Sequence, residues 1–179
     1  YVKFPLVGKD KESILIWTTT PWTLPANVAA AVNPELDYVK VEQNGEYIYL
    51  AETLTGVLKE KGKFEVVAKL KGAAMVGWEY VGPFDDNAAV SEVFGEAGYK
   101  HRIVPWSEVA ADSGVGIVHI APGCGKEDFD LGKELGIPML MPINDNGIYQ
   151  DGYGFLTGQS VFDVADQVIE KLREKDAYY

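Results

Sequence analysis

The first segment of the sequence that could do chemistry is a hydroxyl-rich loop over residues 17–27. It contains four threonines, two prolines, two tryptophans and one asparagine. Hydroxyl and amide groups supply hydrogen-bond donors and acceptors, and the prolines limit the freedom of the loop, which suits a small substrate with polar and apolar parts. The alternative is a loop whose threonines satisfy only its own backbone. On composition alone, that alternative is the more common one.

The second segment brings His119 and Asp128 together across a glycine-rich turn. Residues 116–121 are predicted to form a strand, and its alternation places His119 on the same face as two apolar residues. Apolar residues after the turn follow Asp128 at helical spacing, so Asp128 lies on the apolar stripe of a helix. An inward aspartate in a first helical turn can stay ionised there and pair with an ammonium group. Alternatively, Asp128 only caps its helix and His119 is a hydrogen-bonded core residue.

Cys124 lies in the same turn and is the only cysteine of the chain. It could act as a nucleophile with His119 as its base, but no signature of a cysteine hydrolase surrounds it. A single thiol excludes an internal disulfide and leaves a cysteine-based zinc site without its other ligands, so we expect no metal. The second histidine, His101, lies between Lys100 and Arg102 and is predicted at the surface.

The chain has 179 residues, of which 47% are hydrophobic, and a formal charge of −11 at pH 7. This composition predicts that residues 1–179 form a single domain with one sizeable core. An acidic surface does not suit a grip on long nucleic acid, because phosphate binding needs clustered Lys and Arg. No apolar run approaches the roughly 18 residues of a membrane span, and no signal peptide is recognisable. We therefore expect a cytoplasmic protein, excised from a longer chain.

The elements that must position these side chains are mostly strands. An apolar run over residues 13–17 leads into the threonine loop. Asn44-Gly45 tolerates the positive φ angles of a two-residue turn and predicts a hairpin between residues 38–43 and 46–50. Asn146-Gly147 predicts a second hairpin.

Residues 64–70 predict another strand, and residues 52–61 a short helix. A closing helix is expected after Ser160, which has the spacing of a capping box with Asp163. Residues 72–113 give no clear elements. Without βαβ alternation, the pattern predicts an α+β domain: a β-barrel-like core, mixed or antiparallel, with peripheral helices.

Together, the two segments resemble the editing domain of isoleucyl-tRNA synthetase, the connective-peptide insertion of a class I aminoacyl-tRNA synthetase. Residues 17–27, WTTTPWTLPAN, resemble its threonine-rich motif, and residues 114–123 with Glu127-Asp128-Phe129 resemble its second motif. The related valyl and leucyl enzymes usually carry Arg-Pro where this chain has Thr20-Pro21, which favours the isoleucyl enzyme. Cys124 and Lys126 depart from the family pattern.

The resemblance implies a role for each residue that it covers. Asp128 would hold the α-ammonium group of the substrate, and the threonines with Asn27 would line the pocket and position the ester and a water. His119 and Trp17 would form a wall that admits valine and obstructs isoleucine. The candidate catalytic residues are Thr19, Thr20, Asn27, His119 and Asp128. The candidate substrate-binding residues are Trp17, Thr18, Pro21, Trp22, Ile120 and Gly123.

The activity implied by the resemblance is post-transfer editing, the hydrolysis of the ester that joins a wrongly attached valine to the 3′-terminal adenosine of tRNA(Ile). One methylene separates isoleucine from valine by only about 1 to 3 kcal/mol in an apolar pocket, and isoleucyl-tRNA synthetase is the standard worked example of that limit. A second site must then remove what the first site admits.

No cofactor is expected in this domain, because ATP and Mg would serve only the absent synthetic domain. The expected partners are the CCA end of tRNA(Ile) carrying valine and the rest of the synthetase, with no membrane. One alternative is the same fold in a valyl or leucyl enzyme, or in a free-standing editing protein. Another is a non-catalytic module that only binds the tRNA end.

Overall fold

A computed structural model describes residues 1–179 as eight strands, three α-helices and four 3₁₀ helices. The strands are β1 Val2–Pro5, β2 Glu12–Ile16, β3 Ala29–Val32, β4 Asp37–Gln43, β5 Glu46–Ala51, β6 Glu65–Lys71, β7 Arg102–Pro105 and β8 Ile117–Ile120. The α-helices are α1 Ala88–Ala97, α2 Lys126–Leu135 and α3 Ala165–Glu174. The 3₁₀ helices are Pro21–Ala26, Glu52–Lys61, Gly72–Ala74 and Gly154–Leu156.

The strands form two sheets. One has the order β1-β2-β5-β4-β6 and the other the order β7-β3-β8. Both are mixed, because β2 pairs with β5 and β3 with β7 in parallel while the remaining pairs are antiparallel. The predicted α+β class with a mixed core and peripheral helices is confirmed. The two sheets stay open, however, and do not close into a barrel.

Strand β2 is buried on both faces, as its continuous apolar run predicts. Ile14 and Ile16 face the larger core, which also receives residues of β3, β7 and β8 and therefore joins the two sheets. Leu15, between them, points into a smaller core on the other side of the five-stranded sheet. The loop that follows β2 thus starts from a strand whose position is fixed from both sides.

The first predicted hairpin is confirmed, and the second forms only in a reduced version without regular strands. Asn44 and Gly45 join β4 to β5 with φ angles of 56° and 83°. Around Asn146-Gly147 the chain reverses with one antiparallel bridge, between Ile143 and Tyr149, flanked by backbone hydrogen bonds from Asn144 to Ile148 and from Gln150 to Pro142. The turn differs from the predicted one because only Gly147 has a positive φ, 74°, and the side chain of Asn144 accepts hydrogen bonds from the backbone N–H groups of Asn146 and Ile148.

The helices differ from prediction at their boundaries and type. Residues 52–61 form a 3₁₀ helix. The closing helix begins at Ala165 without a side-chain cap, so the predicted capping box is wrong; the Ser160 hydroxyl accepts instead from the N–H of Phe162. The unassigned stretch, residues 72–113, contains α1 and β7. None of the helices has the length and apolar character required to cross a membrane.

Candidate functional site

Strand pairing brings the two candidate segments together. The threonine loop begins directly after β2 and runs into the 3₁₀ helix Pro21–Ala26, whose last three residues are buried and anchor it. Strand β3 follows the loop and pairs antiparallel with β8, with Ala30 opposite His119. Because β8 leads through the glycine-rich turn into α2, the loop and the start of α2 lie beside each other.

Hydrogen bonds order the threonine loop internally. The Thr18 Oγ1 atom accepts from the backbone N–H of Thr20 at 3.0 Å and lies 3.3 Å from Thr20 Oγ1. The Thr23 hydroxyl donates to the carbonyl oxygen of Thr20 at 2.9 Å. The loop therefore satisfies part of its own backbone, as the alternative interpretation predicted. It also turns its hydroxyls towards one cavity.

His119 joins this loop to the sheet. Its Nε2 lies 2.9 Å from the Thr23 hydroxyl, and its Nδ1 lies 2.9 Å from the side-chain nitrogen of Asn27. Burial of the ring lowers the pKa of His119 to about 4, and His101 adds a smaller lowering. His119 is therefore neutral at pH 7, and both of its ring nitrogens are already engaged.

Asp128 lies in the first turn of α2, half-buried at the wall of the cavity. Its Oδ2 atom accepts a hydrogen bond of 2.9 Å from the backbone N–H of Ala121, while no hydrogen bond engages its Oδ1 atom. Burial raises the pKa of this carboxyl; the Ala121 N–H opposes that shift, and Glu127 adds to it. A cationic group in the cavity would counteract the effect of burial, because it favours the charged form of the carboxylate.

One cavity of about 340 Å³ is lined by residues of both segments. This volume falls in the range of small-molecule sites, roughly 300 to 1,000 Å³. Trp17 stands at its rim with 45% of its surface exposed. Six of the predicted site residues line it: Trp17, Thr18, Thr19, Thr20, His119 and Asp128.

Five predicted site residues do not line the cavity. Asn27 is 3% exposed and lies behind His119, so it cannot touch a substrate there. Ile120 points into the larger core because it is one residue out of phase with His119. Gly123 lies on a neighbouring surface depression, where a Cβ atom would collide with the carbonyl group of Leu140. Pro21 begins the 3₁₀ helix, and Trp22 packs against the larger core.

The cavity also has walls that the predicted residue set omitted. These residues are Thr23, Ala110, Ser113, Gly114, Val115, Gly116, Ile117, Val118, Ala121, Cys124 and Gly125. Gly114 and Gly116 adopt φ angles of 62° and 70°, which only glycine accepts readily, and they let the backbone pass close to Trp17 and Ala51. In the sequence, the two glycines of Gly114-Val115-Gly116 were the feature that could have indicated this wall. Thr23 belongs to the threonine loop that the sequence had already singled out.

Cys124 lies on the cavity wall but is a poor nucleophile there. Burial, together with the nearby Asp128, raises the pKa of its thiol to about 11. A thiol protonated at pH 7 lacks the thiolate that nucleophilic catalysis needs. His119 forms its hydrogen bonds with Thr23 and Asn27 rather than with Cys124.

The prediction that His101 lies at the surface is wrong. It is 3% exposed, with its Nε2 atom 2.7 Å from a carboxylate oxygen of Asp85 and its Nδ1 atom 3.2 Å from the carbonyl oxygen of Val28. Its charged neighbours Lys100 and Arg102 are exposed because alternate residues at the start of β7 point to opposite sides.

Comparison with known proteins shows which sequences and folds this chain is similar to. No family model matches the chain. The chain is 46% identical over 182 residues to the isoleucine--tRNA ligase of Pyrococcus horikoshii, and the match covers 98% of this chain and 17% of that protein. The chain is homologous to one segment of the isoleucine--tRNA ligases. The enzymes of Methanoregula boonei and Methanococcus maripaludis are 41% and 42% identical over 98% of the chain, which covers 16% and 18% of their lengths.

The chain also shares its fold with solved domains of leucyl enzymes. Its TM-score against the crystal structure of GlLeuRS-CP1 is 0.76 at 15% identity, covering 98% of this chain and 95% of that chain. Against the editing domain of the Plasmodium knowlesi cytosolic leucyl-tRNA synthetase, the TM-score is 0.69 at 11% identity, covering 99% and 93%. At such identities the likeness establishes the fold, and the predicted editing-domain fold is confirmed. The chain spans less than a fifth of the length of the isoleucine--tRNA ligases that it matches.

Proposed function

We propose that this chain is the post-transfer editing domain of an isoleucyl-tRNA synthetase and hydrolyses valine from mischarged Val-tRNA(Ile). The observation that carries the proposal is the single cavity in which the threonine hydroxyls and a half-buried aspartate face the same space. The homology to isoleucine--tRNA ligases and the fold shared with leucyl editing domains support the same activity.

Asp128 supplies the recognition of the amino acid. Its Oδ2 atom is held by the Ala121 N–H, so the free Oδ1 atom can accept from the α-ammonium group of the aminoacyl ester. A charge-assisted hydrogen bond of this kind is roughly twice as strong as a neutral one. The hydroxyl and ring groups around it would then fix where the side chain and the ester lie.

The threonine loop positions the reacting atoms. Thr18, Thr19 and Thr20 offer hydroxyls to the ester oxygen, to the oxyanion that develops on it, and to an attacking water. His119 and Trp17 bound the space left for the amino-acid side chain. We assign no general base, since the ribose hydroxyl next to the ester can activate the water. The reaction uses no cofactor or metal of its own.

The proposed partner is the unpaired CCA end of tRNA(Ile) carrying valine. The net charge of −11 suits a domain that admits only this end while other parts of the synthetase hold the rest of the tRNA. The rest of the parent enzyme is accordingly the second partner. The proposal places the protein in the cytoplasm, where charged tRNA is delivered to ribosomes.

The substrate preference tests the proposal. The full-length synthetase that carries this chain should deacylate Val-tRNA(Ile) much faster than Ile-tRNA(Ile), measured by release of labelled amino acid under single-turnover conditions. A pocket that excludes one methylene discriminates by about 10- to 200-fold. Equal rates for the two substrates would contradict the isoleucyl assignment. Release of valine no faster than without enzyme would leave only a tRNA-end binding module.

A further inference from the structure

Asn27 occupies a position that a substrate cannot reach. It is buried between the end of the threonine loop and β8, and its amide has hydrogen-bond partners on Ala29, His119, Ile120 and Tyr80. Its nitrogen Nδ2 lies 2.9 Å from the carbonyl oxygen of Ala29 and 2.9 Å from Nδ1 of His119. Whatever Asn27 does for the reaction must therefore act through His119.

The hydrogens of the Asn27 amide determine where His119 carries its proton. The carbonyl oxygen of Ala29 only accepts, so the amide nitrogen, and not its oxygen, must face it. The second hydrogen of that nitrogen points at His119 Nδ1, which is closer than the carbonyl oxygen of Ile120 at 3.5 Å and must accept it with a lone pair. In a neutral imidazole the proton is therefore on Nε2, which donates to the Thr23 hydroxyl 2.9 Å away.

Tyr80 completes this arrangement from the other side. Its hydroxyl donates to Asn27 Oδ1 at 2.7 Å, the one acceptor of the amide that faces away from His119. The ring of Tyr80 is stacked between Phe4 and His101 at centroid distances of 5.1 and 4.9 Å, and His101 is itself tied to Asp85. Such a ring has no freedom to move its hydroxyl away from Asn27.

We propose that Asn27 and Tyr80 are positioning residues that hold His119 as its Nε2–H tautomer. Tyr80 satisfies the amide oxygen of Asn27, Asn27 donates to Nδ1, and His119 donates to Thr23. The Thr23 hydroxyl can then donate its own hydrogen to the carbonyl oxygen of Thr20, and this hydrogen bond fixes the turn of the threonine loop.

This inference rests on the proposed function for its meaning in catalysis. His119 is a fixed donor that orients the hydroxyl loop, and it is not a general base, because Nε2 already carries a proton and Nδ1 is covered by Asn27. The opposite tautomer would require the Thr23 hydroxyl to turn towards His119 and abandon Thr20. The direction of the hydroxyls that face the ester therefore depends on two residues outside the cavity.

The tautomer can be read directly by imidazole ¹H–¹⁵N correlation NMR on the 179-residue chain at pH 7. The chain has two histidines, so the spectrum contains two ring systems, and His119→Gln identifies one of them. We expect His119 to show an unprotonated Nδ1 and a protonated Nε2. A protonated Nδ1 in the unmodified chain would overturn the proposal without recourse to any variant, and independently of whether the chain hydrolyses anything.

Two variants test the residues behind the tautomer. Asn27→Asp replaces the donor by an acceptor and should move the proton to Nδ1. Tyr80→Phe leaves the amide oxygen unpaired, so that Ala29 alone still orients the amide. A minor fraction with a protonated Nδ1 should then appear beside the Nε2–H form, and deacylation by the full-length enzyme should slow by about fivefold, the worth of one hydrogen bond.

Tyr99→Phe is the matched control. It removes a tyrosine hydroxyl that donates to Val28 O at 3.1 Å and does not touch Asn27. The spectrum and the rate of this variant should match those of the wild type. An unchanged His119 spectrum in both Asn27→Asp and Tyr80→Phe, or an equal effect of Tyr99→Phe, would refute the proposed roles.

Discussion

Replacing Asp128 by asparagine should strongly slow editing while making the folded domain more stable. The asparagine carbonyl oxygen can still accept from the Ala121 N–H, so its NH₂ group turns into the cavity. A donor then faces the ammonium group of the substrate. Losing a hydrogen bond to a charged group costs about 1.5 to 3 kcal/mol. At tenfold per 1.36 kcal/mol, kcat/KM for deacylation of Val-tRNA(Ile) should fall by about 10- to 150-fold.

The stability effect follows from the raised pKa of Asp128. Burial, the largest contribution, makes the charged carboxylate less favourable in the folded chain than in the unfolded chain, where its pKa is 3.8. Ionised Asp128 therefore destabilises the empty site at pH 7, and this penalty disappears as the pH falls towards 3.8. We expect Asp128→Asn to raise the Tm at pH 7 and the difference to shrink in acid.

The assays are single-turnover deacylation by the full-length enzyme and thermal unfolding of the chain followed by circular dichroism. Glu127→Gln is the control, since it neutralises the adjacent carboxylate, which is exposed on α2. It should leave the rate nearly unchanged. An Asp128→Asn enzyme that deacylates within about twofold of wild type would refute the role of Asp128 in holding the ammonium group. A lowered Tm at pH 7 would refute the argument from burial.

Two further predictions concern packing and nucleophile chemistry. Gly116→Ala should lower the free energy of unfolding in urea by about 2 to 4 kcal/mol, because its φ is 70° and a Cβ would overlap that of Ala51. Gly95→Ala, in α1 with open space around it, should instead raise it by about 0.5 to 1 kcal/mol; a loss like that of Gly116→Ala would contradict the packing argument. Cys124→Ser should leave deacylation within about twofold, whereas a loss beyond tenfold would indicate a cysteine nucleophile.

The sequence predicted those elements whose conformation depends on residues close together in the chain, such as a tight turn or an amphipathic helix. Asn44-Gly45 gave the hairpin because both residues accept positive φ, and the period of the residues after Gly125 gave α2 with Asp128 inward. Asn146-Gly147 carries the same signal but forms only a short antiparallel bridge, in which Asn146 does not take a positive φ. There the side chain of Asn144 captures the backbone N–H groups, which a dipeptide rule does not describe.

The features that the sequence did not predict depend on contacts between residues that are far apart along the chain. His101 has charged neighbours, yet Asp85 and Val28, both distant along the chain, bury and satisfy its ring. The sequence predicts that Asn27 lines the pocket together with the threonines. The pairing of β3 with β8 instead places Asn27 behind His119, outside the cavity. The glycine-rich wall became recognisable only once its partners, Trp17 and Ala51, were in place.

The antiparallel pairing of β3 with β8 has a consequence for the geometry of the candidate site. Three of the four β3 residues are alanines, whose small side chains would accept β8 almost equally well if β8 slid by one position. Such a slip would turn His119 to the opposite face and empty one wall of the cavity. The Asn27 amide, bonded both to Ala29 and to the His119 ring, fastens the two strands at the end nearest the loop. Asn27 therefore orients the His119 ring and also stabilises the strand register that places His119 at the cavity.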